Sequence, residues 1–418
     1  MRIAFISYEF PPDAAYGGIS TYVNQAARML NAGGHTVEVF TSSPDRTCTI
    51  DEHGILVHRI RESDHFNFPE AIGPIFAERH EQVRFDVLES PEYGADASNA
   101  VHRVPNIPLV VKLHTPSFLI SAATYDGLGF KDPLRRSLFK GRIREFAVRS
   151  LQGERPKWRY THKYALDAER KLTLAADEVA SPSKALAAIV SDAWQIDSTR
   201  ISHVPYPFVP NDTLLKIPAG GSQGSVLFLG RFEVRKGVLD LATAIPMVLR
   251  ENPCIRFKLV GPDDESPRPN TGMREYLRQA LRAYASSVEL LPPVPNSHLA
   301  DLFAAADVVV IPSIWENFAN VCLESMSAAR PVIASEAGGM AEMLDFGSAG
   351  RLISPRAPEK IAETIIELLA DSDLCYDLGN RARARVLDEY KIDRVSLIQE
   401  QSYRRAIERR MMEGERAR

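Results

Sequence analysis

Cysteine is scarce in this chain of 418 residues: Cys48, Cys254, Cys322 and Cys375 stand far apart, with no C-x-x-C spacing. That scarcity excludes a disulfide-stapled scaffold and a cysteine-built zinc site, and it fits a reducing compartment. A dominant charge is missing as well. Lys and Arg number 50 against 54 Asp and Glu, a net charge of −4, so nothing draws the protein to nucleic acid in general. No unbroken apolar run approaches the roughly 20 residues of a membrane helix, and the opening MRIAFIS is cut off by Glu9, Pro11 and Pro12 too early for a signal peptide. The expected location is the cytoplasm, at most peripheral to the inner face of a membrane. What is present is a 45% hydrophobic content, enough for two domains with cores of their own, and neither repeats nor low-complexity tracts.

The densest stretch is 308–339, VVVIPSIWENFANVCLESMSAARPVIASEAGG. Residues 308–311 are β-branched and apolar with Pro312 behind them, which predicts a buried parallel strand opening into a loop that carries Glu316. Residues 318–329 read as a helix apolar on nearly every side, and 331–335 as a second buried strand, together a βαβ unit. Glu324 lies inside that apolar helix, where a carboxylate is costly unless paired. Helical side chains lean toward the N-terminus, so Glu324 is aimed at the end where free N–H groups and the helix dipole favour an anion. A phosphate at the helix start, with a sugar hydroxyl one turn further along, would satisfy both. The bland alternative is a solvated Glu316 and a Glu324 paired to a distant Arg.

Upstream, a strand over 225–229 leads through Gly230-Arg231-Phe232-Glu233-Val234-Arg235-Lys236-Gly237 into a helix. Two cations in a strand-to-helix turn suit a diphosphate, because charge and N–H donors converge there. Arg235 is expected to be solvated. At the chain start, a strand over 3–8 passes through a Pro-rich loop to Gly17-Gly18 and a helix ending near residue 31, an arrangement that lets backbone approach a phosphate or simply turns the chain. A strand over 109–113 ends in His114-Thr115-Pro116.

The run P-S-x-x-E-x-F-x-x-x-x-x-E-x-M-x-x-x-x-P-V-I-A-S, from Pro312 to Ser335, resembles the signature of retaining, nucleotide-sugar-dependent glycosyltransferases of family 4. The resemblance implies the GT-B fold, an α/β architecture of two Rossmann-like doubly wound domains facing a cleft. It implies that Glu316 holds hydroxyls of the donor sugar and Glu324 those of the ribose. Arg231 and Lys236 match the family's diphosphate turn, Gly17 and Gly18 its phosphate-facing glycines, and His114 the histidine beside the anomeric centre. Asn317, Phe318, Ala319, Asn320 and Val321 then line the donor pocket. This chain has Asn317 and Ala319 where the family usually has Gly, and Ala329 where Gly is common before Arg330-Pro331.

The remainder is read around that frame. Residues 206–224, rich in Pro and Gly, form a linker, giving an acceptor domain over 1–212 and a nucleotide-sugar domain over 213–391. The helix predicted over 392–411 starts a tail, 392–418, that the resemblance returns to the first domain. Residues 131–163 are strongly basic and begin as an amphipathic helix. An ordinary solvated face, attraction to anionic lipid and a grip on an anionic acceptor all remain open for it. Asp371-x-Asp373 sits between two predicted helices as an N-cap, so no metal is expected, and no cofactor beyond the donor as co-substrate. The expected reaction moves a hexose from a UDP-sugar, or next a GDP-sugar, to a hydroxyl of a sugar, lipid-linked or small-molecule acceptor. A nucleotide-sugar epimerase and a silent nucleotide-sugar-binding protein are the rivals.

Overall fold

The structure, a computed structural model, describes residues 1–15, 17–121, 167–221, 224–268 and 270–416. The basic segment 131–163 lies outside the described residues. Two compact units emerge, one of Met1–Ser117, His162–Val209 and Glu389–Arg418, the other including Pro210–Asp388.

The first unit is built on an eight-stranded sheet. Its strands are β1 (Arg2–Ile6), β2 (Thr36–Ser43), β3 (Cys48–Glu52), β4 (Ile55–Arg61), β5 (Val87–Pro91), β6 (Leu109–Lys112), β7 (Glu178–Ser181) and β8 (Ile201–His203), in the order β3-β4-β2-β1-β5-β6-β7-β8. All pairings are parallel except β3 with β4. The antiparallel edge strand β3 has no counterpart in the sequence reading, since its CTIDE alternates weakly and is half exposed. The reading also leaves Phe68–Val83 unassigned, where a helix carries Pro74 inside it.

The second unit is a six-stranded parallel sheet of β9 (Ser225–Leu229), β10 (Arg256–Val260), β11 (Val288–Leu291), β12 (Val308–Ile311), β13 (Val332–Ser335) and β14 (Arg351–Ile353), ordered β11-β10-β9-β12-β13-β14. That is the doubly wound order, and its reversal falls between β9 and β12, where Val309 stands opposite Leu227. The central strands β9 (SVLFL) and β12 (VVVI) are almost wholly apolar, as suits strands with covered faces. Val226, Phe228, Val308, Val310 and Ile333 share one core with Leu241, Ile245 and Val248 of the helix Val238–Glu251 and with Ile365 and Leu368 of the helix Pro358–Ala370.

The helix predicted over 318–329 is shorter, Asn320–Ser327, because Ala319 is still extended. At its far end Ala329 adopts φ +50, a left-handed conformation that accounts for the family's Gly at this position. The linker is not wholly irregular either: Asn211 caps a short helix, Asp212–Leu215, by accepting from Thr213 N at 3.0 Å. Asp371 accepts from Leu374 N at 2.9 Å, the cap expected of it. The last helix, Ile392–Arg416, outruns its predicted end. It belongs to the first unit, where Arg405 and Arg409 pair with the buried Glu178 and Arg410 with Asp177 at 2.9 Å. Among the described residues no helix is long and apolar enough to cross a membrane.

Candidate functional site

Two loops meet at the carboxyl ends of β9 and β12, the switch point where doubly wound sheets bind ligands. Gly237, at φ +70, lies so close to the second loop that a Cβ there would stand 1.9 Å from Pro312 O. Ile314 N donates to Arg235 O at 2.8 Å, a second stitch between the loops. Gly338 and Gly339 hold the other side. Gly339 N donates to Glu316 O at 2.9 Å, and a Cβ on Gly338 would stand 2.1 Å from that same oxygen. The backbone of Glu316 is thus fixed from both directions.

Its carboxylate is fixed as well. Glu316 Oε2 pairs with Lys236 Nζ, lies 3.6 Å from Arg235, and accepts from Ser313 Oγ at 3.3 Å. Burial pushes the Glu316 carboxyl upward, but the charges of Lys236 and Arg235 outweigh it and hold the group below the ordinary carboxylate range. Arg235 is therefore not the solvated cation the sequence suggested. It sits between Glu316 and Glu233, 2.8 Å from the latter, with only 17% of its side chain exposed. Arg231 stands apart from Lys236, half exposed, with Asp264 at 2.6 Å. The turn thus brings Lys236 and Arg235 onto one carboxylate and leaves Arg231 at the rim.

Asn317, Phe318 and Ala319 are buried and lead into the helix Asn320–Ser327, whose start has no side-chain cap. Its first N–H groups are therefore available to an anion. Glu324 has no hydrogen bond or ion pair to its carboxylate among the described residues, and burial alone pushes that group up to about 7. Among the described residues no Arg pairs with it, as the bland reading would require. Arg330 is buried, but it is committed to carbonyls: Gly220 O at 2.6 Å, Ala306 O at 2.9 Å, Ala328 O at 3.1 Å, and Pro218 O.

In the first unit, Gly17 precedes the helix Gly18–Ala32, and the position of a Cβ on Gly18 has no atom within 4 Å. His114 follows β6 and is 6% exposed. Its backbone N–H faces both oxygens of the buried Glu92, at 2.9 and 2.8 Å, while its Nδ1 lies 3.0 Å from Lys112 O. Tyr22 and Tyr206 flank the ring with centroids at 5.1 and 5.2 Å. Glu9, after β1, joins this group: burial raises its carboxyl, against the opposing pull of the Ser20 N–H and His114. Its Oε2 is buried without a hydrogen bond. Neither Glu9 nor Glu92 is marked by spacing, and only their places after β1 and β5 would have pointed to them. Among the described residues no cluster of His, Cys, Asp or Glu is arranged to hold a metal ion.

Comparison with known proteins bears on the family and the fold. The family model described as "Glycosyl transferases group 1" matches residues 223–371, and that described as "Glycosyltransferase Family 4" matches 16–209. A D-inositol 3-phosphate glycosyltransferase of Thermobispora bispora is 28% identical over 89% of this chain and 87% of its own. That of Pseudarthrobacter chlorophenolicus is 26% identical, covering 98% and 96%. Among solved structures, sucrose-phosphate synthase from Thermosynechococcus elongatus superposes with a TM-score of 0.70 at 22% identity over 96% of this chain and 98% of that one. The Anabaena protein HepE in complex with UDP gives 0.65 at 16%, covering 96% and 99%.

Proposed function

The chain belongs to the family 4 glycosyltransferases, and on that footing we propose that it moves a hexose from a UDP-sugar, with a GDP-sugar as the next choice, to an acceptor hydroxyl with retention at the anomeric carbon. The observation that carries this reading is the pairing of roles in the second unit: a carboxylate held ionised by two cations at Glu316, and an unpartnered, half-buried one at Glu324. A diphosphate entering beside the bare start of the helix Asn320–Ser327 is neutralised by Lys236 and Arg231. Lys236 then divides its charge between phosphate and Glu316, which turns its free lone pairs to the sugar hydroxyls. Glu324 accepts from the ribose. HepE, solved in complex with UDP, lends support to the uridine choice.

Chemically, breaking the bond between sugar and diphosphate leaves negative charge on the leaving oxygen. Lys236, Arg231 and the helix start stabilise it in place, which is electrostatic catalysis by groups already oriented. His114 keeps the sugar-positioning role that the family resemblance implies for it. The acceptor hydroxyl attacks on the leaving group's own face and passes its proton to the departing diphosphate oxygen. Because protein cations carry the charge, chelator leaves the rate unchanged.

The test begins with thermal shifts against nucleoside diphosphates. A ligand at 100 times its Kd stabilises by about 2.7 kcal/mol, so the preferred base stands out. Proton nuclear magnetic resonance of the product formed from UDP-glucose then reads the anomeric configuration. Inverted product, or conversion of the sugar nucleotide in the absence of any acceptor, refutes the proposal.

A further inference from the structure

Beneath His114 lies a buried polar network that the proposed chemistry does not use. Tyr22 Oη donates to Glu89 Oε1 at 2.6 Å, and Tyr403 Oη donates to Glu89 Oε2 at 2.7 Å. Gln399 Nε2 lies 2.9 Å from Tyr22 Oη, 3.1 Å from Glu89 Oε2 and 2.8 Å from Tyr403 Oη, two hydrogens shared among three acceptors. All four side chains are at most 2% exposed. Lys112 stands over the Tyr22 and Tyr206 rings, at 5.0 and 5.3 Å, and donates to Val204 O at 2.5 Å.

A buried carboxylate with its hydroxyl and amide partners adds little stability over a well-packed apolar cluster of the same volume. What it does fix is geometry. The hydrogen bonds at Oη pin the Tyr22 ring, and the edge-on contact at 5.1 Å passes that orientation to His114. His114 is also held by Glu92, by Lys112 O and by the Tyr206 ring, and Tyr22 is the contact that joins it to the buried network. We infer that Gln399 and Tyr403 of the C-terminal helix, acting through Glu89 and Tyr22, are positioning residues for His114. The helix Ile392–Arg416 thereby becomes part of the active-site support as well as of the first unit's packing. This rests on the role proposed above for His114.

Two measurements test it. The first needs no turnover: in protein with isotope-labelled histidines, the His114 imidazole resonance, assigned by its loss in His114→Ala, should shift or broaden in Tyr403→Phe and in Gln399→Leu. Resonances of His53, exposed on the turn from β3 to β4 at the far edge of the same sheet, should stay in place. The second is a double-mutant cycle on UDP release from UDP-glucose. Tyr403→Phe and Gln399→Leu should each lower kcat about tenfold in the parent and have no effect on kcat in a His114→Ala background, with UDP affinity unchanged, while the melting temperature falls in both backgrounds because Glu89 loses a buried donor. An unmoved His114 resonance overturns the inference, and so does additivity in the cycle. If a variant unfolds, Tyr22→Phe, which keeps the ring and loses its bonds to Glu89 and Gln399, serves in its place and must move the same resonance. A parent that binds no UDP and turns over no donor refutes the proposed function, while the resonance test still decides the positioning role.

Discussion

Glu324 offers the sharpest test of the site, because one group governs both stability and ligand binding. Its carboxyl is raised from 4.5 to about 7 by burial alone. The folded protein therefore holds this proton more tightly than the unfolded chain. Below about pH 4.5 both states are protonated and the group costs nothing. As pH rises toward 7 the unfolded chain loses its proton first, so stability falls, and above the folded value the full loss is in place. At ~1.4 kcal/mol per pH unit, the raised carboxyl amounts to about 3 kcal/mol. Glu324→Gln removes the charge at nearly constant shape. It should match the parent near pH 4 and exceed it by up to about 3 kcal/mol at pH 8. Denaturant melts at several pH values give the difference, from which groups common to both proteins, such as Glu169 with its own buried carboxyl, cancel.

Ligand binding should run the other way. A ribose hydroxyl donating to an ionised carboxylate is worth roughly 1.5 to 3 kcal/mol, so Glu324→Gln should weaken UDP about tenfold or more at pH 8. At pH 6 the parent must first lose its proton, which narrows the gap and makes binding release a proton. Calorimetry in buffers of different ionisation heat counts that proton. Parallel pH–stability curves would mean that the carboxyl has a partner after all. An unchanged UDP affinity would show that Glu324 does not meet the ribose.

The regular parts of this molecule were legible because period and burial agree in them. Strands such as VVVI at Val308–Ile311 carry no polar residue to blur the pattern, and the switch between β9 and β12 follows from the right-handed connections that join parallel strands. Glu324 stood out as a candidate because a charged residue on an apolar helix conflicts with its surroundings, and Glu316 because of its place in the loop before that helix and in the family-like motif. Arg235 was misjudged for a reason of the opposite kind. In a turn with two other cations, nothing local says which one folds inward, and the answer came from the Ile314–Arg235 backbone bond that draws the two loops together. Glu9, Glu92 and the Glu89 network carry no spacing signal, since the partners that join their elements lie 22 to 377 residues away or are set by burial alone. The edge strand β3 and the Pro74 helix show the limit of periodicity, where tertiary packing overrides a weak or broken pattern.

Three further outcomes are expected in the second unit. Gly237→Ala meets both a left-handed backbone, worth about 1–2 kcal/mol, and the Pro312 carbonyl, so melting temperature and UDP affinity should fall together; loss of one without the other would separate the turn from the Glu316 loop. Lys236→Met should lower turnover on the order of 100-fold while the fold persists, as for loss of one oriented donor, and initial rates at saturating donor decide it. Arg330 tests what holds the linker to the sheet. Its guanidinium spans carbonyls of Pro218, Gly220, Ala306 and Ala328, a set that one ammonium on a flexible stem does not reproduce. With several buried carbonyls left unpaired at about 1–3 kcal/mol each, Arg330→Lys should destabilise the second unit nearly as much as Arg330→Met, by at least ~3 kcal/mol in denaturant melts. Recovery of parental stability by Lys would mean that the positive charge matters and the fork does not, and the residue's place between β12 and β13 would then need another explanation.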